Sequence, residues 1–146
     1  MKVMVATSGA QLLPENAVKT LCDELLPLST VLTPNIPEAN LILKEAGRPP
    51  IDVKDLEGMK RLASAVHELG PEYVLVKGGH LPLTSERKVA SSDEDKVLIV
   101  NVLVGENASE VIEFSYQTSN DTHGTGCSLA CTSPIVNRRT VVADVK

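Results

Sequence analysis

Tyr73-Val74-Leu75-Val76 is a compact apolar run that passes directly into Lys77-Gly78-Gly79-His80. A run this short, closed by glycines, reads as a buried strand whose carboxyl end carries a polar turn. The pattern recurs upstream: Thr30-Val31-Leu32-Thr33 leads into Pro34-Asn35-Ile36-Pro37-Glu38, and Val3-Met4-Val5-Ala6 into Thr7-Ser8-Gly9. Helical patterns separate these strands. Val18, Leu21, Cys22, Leu25 and Leu26 share one face of a segment opened by Pro14 and Glu15 and stopped by Pro27. A second helix is expected from the Pro34–Glu38 lead-in through about Ala46, ended by Gly47. Asp52 is expected to cap a third, in which Leu56, Met59, Leu62, Ala63, Val66 and Leu69 recur at three- and four-residue steps up to Gly70-Pro71. Residues 82–96, with Pro82 and the charged stretch from Ser85 to Lys96, read as a mobile surface loop. Val97–Val104 and Val111–Tyr116 flank Gly105-Glu106-Asn107 as a hairpin. Strands alternating with helices imply an α/β fold with parallel strands, in which ligands sit beyond the carboxyl ends of the strands.

Composition narrows what such a fold can bind. The 146 residues are 42% hydrophobic and 23% charged, an ordinary globular balance, so the core has to be aliphatic: there are one Phe, two Tyr and no Trp. That scarcity leaves no stacking platform for bases, and a net charge of −5 has the wrong sign for a phosphate-backbone binder, so no nucleic-acid partner is expected. No apolar run approaches the roughly 20 residues that span a bilayer, and Met1-Lys2-Val3-Met4 lacks the apolar stretch of a secretory signal, so neither membrane nor export is expected and the location is read as cytoplasmic. Cys22, Cys127 and Cys131 form no Cys-x-x-Cys pair, which suggests neither a disulfide framework nor a zinc site.

Three polar clusters fall at or just after strand ends. In Asp121-Thr122-His123-Gly124-Thr125-Gly126-Cys127-Ser128, two glycines let backbone amides approach an anion, and a helix beginning there adds its positive dipole end, which also favours a thiolate at Cys127. The competing reading is a tight strand-to-helix connection with a small buried cysteine. Lys77 is placed to stabilise charge on a transferring phosphoryl group, with Gly78-Gly79 leaving room for a ligand; the plain alternative is an exposed strand-end lysine. Asn35 and Glu38 have the spacing of a capping box, and equally that of a carboxylate near Mg²⁺ or its waters. His80 and His123 are candidate polar contacts or solvated loop histidines. Cys22, on an apolar helix face, reads as inert packing, and Cys131 has no assigned role.

Three segments in this order, Leu32-Thr33-Pro34-Asn35-Ile36-Pro37-Glu38-Ala39, Val74-Leu75-Val76-Lys77-Gly78-Gly79-His80 and Thr122-His123-Gly124-Thr125-Gly126-Cys127, resemble the hydroxymethylpyrimidine and phosphomethylpyrimidine kinases of the ribokinase-like superfamily. Val3 to Gly9, followed by Leu12-Leu13-Pro14, looks like an earlier piece of the same fold. The resemblance implies a three-layer α/β kinase fold with a mostly parallel central sheet. It also implies ATP with Mg²⁺, and phosphate transfer to the hydroxymethyl group of a small pyrimidine and then to its monophosphate, in thiamine diphosphate biosynthesis. By this analogy Gly124, Thr125 and Gly126 form the anion hole and Lys77 contacts ATP phosphates. Asn35 and Glu38 belong to the Mg²⁺ and phosphate environment. Cys127 stands where many ribokinase-like enzymes carry an aspartate base.

The sequence also departs from that family. Met1-Lys2 stands where the family has an Asp-Pro pair, and the earlier part of the fold, with most of the pyrimidine pocket, is expected to be missing. At the other end Cys131-Thr132-Ser133-Pro134 interrupts the run that follows the anion hole. The expected organisation is a partial kinase domain over residues 1–130 and a divergent tail over 131–146, with the last helices missing. Alternatives to the kinase reading are an inactive remnant that binds nucleotide or pairs with another subunit, and a pyridoxal kinase-like activity. A partial sheet exposes edges and apolar surface, so self-association into a homo-oligomer is expected.

Overall fold

The computed structural model describes residues 14–79 and 81–116. The expected strand at Val3–Ala6 and everything beyond Tyr116 lie outside the described residues. The first helix, α1 (Glu15–Thr20), runs on through a π-helical turn at Leu21–Leu25 and a 3-10 turn at Leu26–Leu28. Val18, Cys22 and Leu26 are buried at four-residue steps. Leu25, expected on the same face, is 44% exposed, because the wider π turn shifts the helical register at its end. Pro27 has no N–H to lose and sits where the helical ladder is ending.

Strand β1 (Val31–Leu32) is shorter than the four residues expected. It leads into α2 (Ile36–Glu45), which ends two residues before Gly47 at a φ of 75°. Helix α3 (Leu56–His67) starts at Asp55 and not at Asp52: the Asp55 carboxylate accepts the amide of Gly58 at 2.7 Å. Asp52 instead pairs with Lys54 at 3.3 Å in an exposed ion pair. The helical periodicity alone could not choose between two aspartates three residues apart, since both precede the first apolar position. Strand β2 (Tyr73–Lys77) comes next, then the hairpin β3 (Leu98–Gly105) and β4 (Ala108–Ser115), joined by Glu106-Asn107 as the sequence implied.

The four strands pair in the order β1-β2-β3-β4. Val31 and Leu32 lie parallel to Tyr73 and Val74, whereas β2–β3 and β3–β4 are antiparallel. The parallel character expected of the sheet is thus carried, among the described residues, by β1 and β2. Of the other two pairings, β3–β4 is a hairpin, which can only be antiparallel, and β2–β3 is antiparallel across the longer connection of residues 78–97. Helix α3 packs on β2 and β3, α2 on α3 and β2, and α1 on α2. Val74, Val76, Val100 and Val102 meet Leu32, Ile42, Met59, Leu62 and Val66 in one aliphatic core.

Residues 82–96 are not the loose surface loop expected. Leu83 is fully buried and bridges both Val89 and Leu98. The carbonyl of Arg87, a residue at φ 62°, accepts the amide of Leu56 at the start of α3. One apolar residue in a charged stretch anchors the segment, a signal that average polarity conceals. No helix of the described residues is long and apolar enough to cross a membrane.

The two aspartates can be separated by mutation. Asp55→Ala is expected to lower the unfolding free energy by about 1 kcal/mol, read from the midpoint of urea denaturation. Asp52→Ala should stay within about 0.5 kcal/mol of the parent.

Candidate functional site

Two of the polar clusters singled out in the sequence come together where β1 and β2 end. The amide of Lys77 donates to the carbonyl of Pro34 at 2.9 Å, and Asn35 forms a parallel bridge with Lys77. The β1–β2 pairing therefore continues past β1 itself, and it sets the start of α2 beside the only lysine of β2. Parallel strands put both carboxyl ends on one edge, which is why residues 42 positions apart become neighbours.

Asn35 and Glu38 make the full capping box. The Glu38 amide donates to Asn35 Oδ1 at 2.8 Å, and the Asn35 amide donates to Glu38 Oε2 at 2.9 Å. Pro37 in the first turn costs α2 nothing, because that position has no intrahelical acceptor. Glu38 is fully buried, and a carboxylate in the first turn is favoured by the positive end of the helix dipole. The capping reading of the pair is thus realised in the geometry. It fixes both side chains at the strand edge next to Lys77.

Beyond Lys77 the chain is held from below. A Cβ on Gly78 would stand 2.1 Å from the Val100 carbonyl oxygen and 3.0 Å from Met59 Cε, so only glycine fits between β3 and α3. Gly79 is exposed, with open space where a Cβ would be. Neither glycine has positive φ; they are needed for close approach and openness, not for an unusual backbone. The Gly78 amide donates to Asn101 Oδ1 at 3.1 Å. Asn101, buried in β3, was not among the expected site residues. Its signal was available: it is the one polar residue inside Leu98-Ile99-Val100-Asn101-Val102-Leu103-Val104.

Gly124, Thr125, Gly126 and Cys127, together with His80 and His123, lie outside the described residues. Cys22 is core packing, as expected. Burial pushes its thiol up to about 11, helped by the charges of Asp23 and Glu45, which leaves it protonated and inert at neutral pH. A cleft lined by His67, Gly70, Pro71, Glu72, Tyr73 and Glu106 opens at the other end of β2. Four residues of strand, about 13 Å, separate it from Lys77, so it is no part of this edge.

A strand edge carrying a lysine, an open glycine and a helix start is suited to an anionic group. Comparison with known proteins gives that edge a family. Residues 2–141 match the phosphomethylpyrimidine kinase family model. The chain belongs to that family. It is 41% identical over 128 residues to the hydroxymethylpyrimidine/phosphomethylpyrimidine kinase of Rhizobium meliloti, covering 88% of this chain and 41% of that protein. Among solved structures, phosphomethylpyrimidine kinase from Clostridium difficile matches with a TM-score of 0.53 at 34% identity, over 75% of this chain and 38% of that one. Bacillus subtilis pyridoxal kinase, solved as an ADP complex, matches with a TM-score of 0.61 at 26% identity, over 88% of this chain and 41% of that one. The fold is the α/β ribokinase-like fold of these kinases. The chain spans between about a fifth and two-fifths of the length of the curated relatives it matches.

The packing beneath the turn makes the two glycines of this phosphomethylpyrimidine kinase family member unequal. Gly78→Ala is expected to lower stability by about 1–3 kcal/mol through overpacking, while Gly79→Ala leaves the thermal midpoint nearly unchanged. Parallel thermal melts of the two variants check this.

Proposed function

We propose that this chain carries the nucleotide side of a kinase that uses ATP to phosphorylate hydroxymethylpyrimidine and then its monophosphate, a step of thiamine diphosphate biosynthesis. The observation that carries the reading is the pairing of Asn35 with Lys77 across the carboxyl edge of β1 and β2, in a member of a family named for this reaction. In this reading the Lys77 ammonium binds and orients the nucleotide phosphates, and offsets the charge that builds on the transferring group. Gly124, Thr125 and Gly126 supply amides to the same charge. Cys127 takes the proton of the attacking hydroxyl as its oxygen bonds to the γ-phosphorus and ADP departs.

The donor set around Asn35 and Glu38 suits a Mg²⁺ ion that keeps its waters, and not one caged by protein. Asn35 Oδ1 and Glu38 Oε2 are each engaged by a backbone amide, and no group of three His, Cys, Asp or Glu side chains able to hold a metal occurs among the described residues. Mg²⁺ would neutralise phosphate charge when bound with the nucleotide. Glu38 and Asn35 would hold the helix start and the negative charge beneath it. A cytoplasmic location is compatible with dependence on ATP. Leu28 and Phe114, both exposed, support self-association.

A second reading, pyridoxal as the acceptor, is favoured by one observation: the structural similarity is higher to the pyridoxal kinase than to the phosphomethylpyrimidine kinase. Sequence identity runs the other way and supports the pyrimidine.

A coupled assay for ADP release separates the readings. Release should depend on hydroxymethylpyrimidine and fall at least about a hundredfold in Cys127→Ala, as expected for loss of a general base. Release that depends on pyridoxal alone would establish the second reading. A folded chain with no turnover on either acceptor would refute catalysis by this chain alone and favour the inactive nucleotide-binding remnant.

A further inference from the structure

Strand β2 ends at Lys77, where its ladder partner on β3 is Asn101. The next amide, that of Gly78, lies past the last residue of the strand, and a side chain meets it: Asn101 Oδ1 accepts it at 3.1 Å. An amide N–H needs an acceptor, which also fixes the orientation of the Asn101 carboxamide. Successive amides thus tie the turn to both neighbours, Lys77 to Pro34 on the β1 side and Gly78 to Asn101 on the β3 side. Together these two bonds set the backbone on either side of the Lys77 α-carbon, and with it the direction from which the lysine side chain departs. Gly79 comes next, with open space above it.

We infer that Asn101 is a positioning residue for nucleotide binding: its carboxamide extends the β2–β3 ladder by one amide and thereby holds Lys77-Gly78-Gly79 in the shape that receives the polyphosphate of a nucleoside di- or triphosphate. This deepens the reading of the strand edge as a nucleotide site and rests on it. Packing alone does not require an asparagine here. The neighbours on its own face of β3, Ile99 and Leu103, are aliphatic, and a buried carboxamide is costly to desolvate unless it is hydrogen-bonded. Its acceptor is used on the one amide that the regular ladder leaves over.

The test uses the full chain and three variants, Asn101→Leu, Asn101→Ser and Asn101→Asp. Leucine removes the acceptor at similar size, serine keeps an oxygen that stops short of Gly78, and aspartate keeps an acceptor at the same reach. Two readouts are taken: Mg·ADP affinity by calorimetry, and hydrogen exchange at the Gly78 amide by NMR, with circular dichroism confirming the fold. Asn101→Leu, or Asn101→Ser should the leucine variant fail to fold, is expected to bind Mg·ADP roughly tenfold more weakly, the size of one buried hydrogen bond, and to lose protection at Gly78. Asn101→Asp, which keeps the acceptor, is expected to keep protection at Gly78, while its negative charge beside the polyphosphate still weakens Mg·ADP binding. Loss of Gly78 protection with unchanged Mg·ADP affinity would overturn the inference, leaving a bond that is structural only. Unchanged protection would overturn it as well, by showing that the bond does not hold the turn. If the parent chain binds no Mg·ADP while its Gly78 amide is protected, the nucleotide reading itself fails and the inference falls with it, an outcome distinct from the other two.

Discussion

The hydrogen bond from the Lys77 amide to the Pro34 carbonyl decides which polar residues meet at the carboxyl edge of the sheet. It extends the parallel pairing of β1 and β2 beyond the two residues of β1, and so brings the first turn of α2 level with the end of β2. A parallel pair needs a crossover, supplied here by α2 and α3, and the crossover returns the chain so that both carboxyl ends face the same way. Had the strands been joined by a hairpin, Asn35 and Lys77 would have ended at opposite edges. Every other feature of the edge is support for that meeting: the capping box that fixes Asn35 and Glu38, the Val100 and Met59 floor under Gly78, and the Asn101 carboxamide beside it.

Much of this could be read from residues alone because the signals are local. Gly47 past the end of α2, Asn35 and Glu38 three residues apart, and Glu106-Asn107 between two β-rich runs each fix backbone geometry within a few positions. The polar clusters after β1 and β2 were likewise legible, since a short run of Val and Leu that stops at Thr33-Pro34 or Lys77-Gly78-Gly79 marks a strand end. Where sequence and structure part, a choice between local signals was made by distant packing. Asp55 won over Asp52 as the cap of α3 because the chain from Arg87 lies against Leu56 and sets the helix start there. Leu83 is hidden in the sequence because it is one buried residue in a polar stretch, and its burial depends on β3 arriving beside it. The same holds for Asn101, whose partner is 23 residues away and on another strand.

The division between fold and chemistry runs through single residues here. Glu38 illustrates it, since the capping box that starts α2 also sets this side chain beside the carboxyl edge of the sheet. The Glu38 carboxyl group accepts the Asn35 amide and is held buried at the start of α2, beside the strand edge. Gly78 and Gly79 divide similarly: the first is a packing requirement of the sheet, and the second leaves the space above the turn open. A stability screen would flag Gly78 and pass over Gly79.

The central claim is that nucleotide binds at the carboxyl edge of β1 and β2. Titration of the isotope-labelled chain with Mg·ADP, monitored by amide chemical shifts, tests it most directly. The account predicts shifts concentrated at Asn35, Lys77, Gly78 and Gly79, with His67, Glu72 and Glu106 at the opposite end of the sheet unmoved. Shifts centred on the His67–Glu106 end, or none at saturating nucleotide, would contradict it.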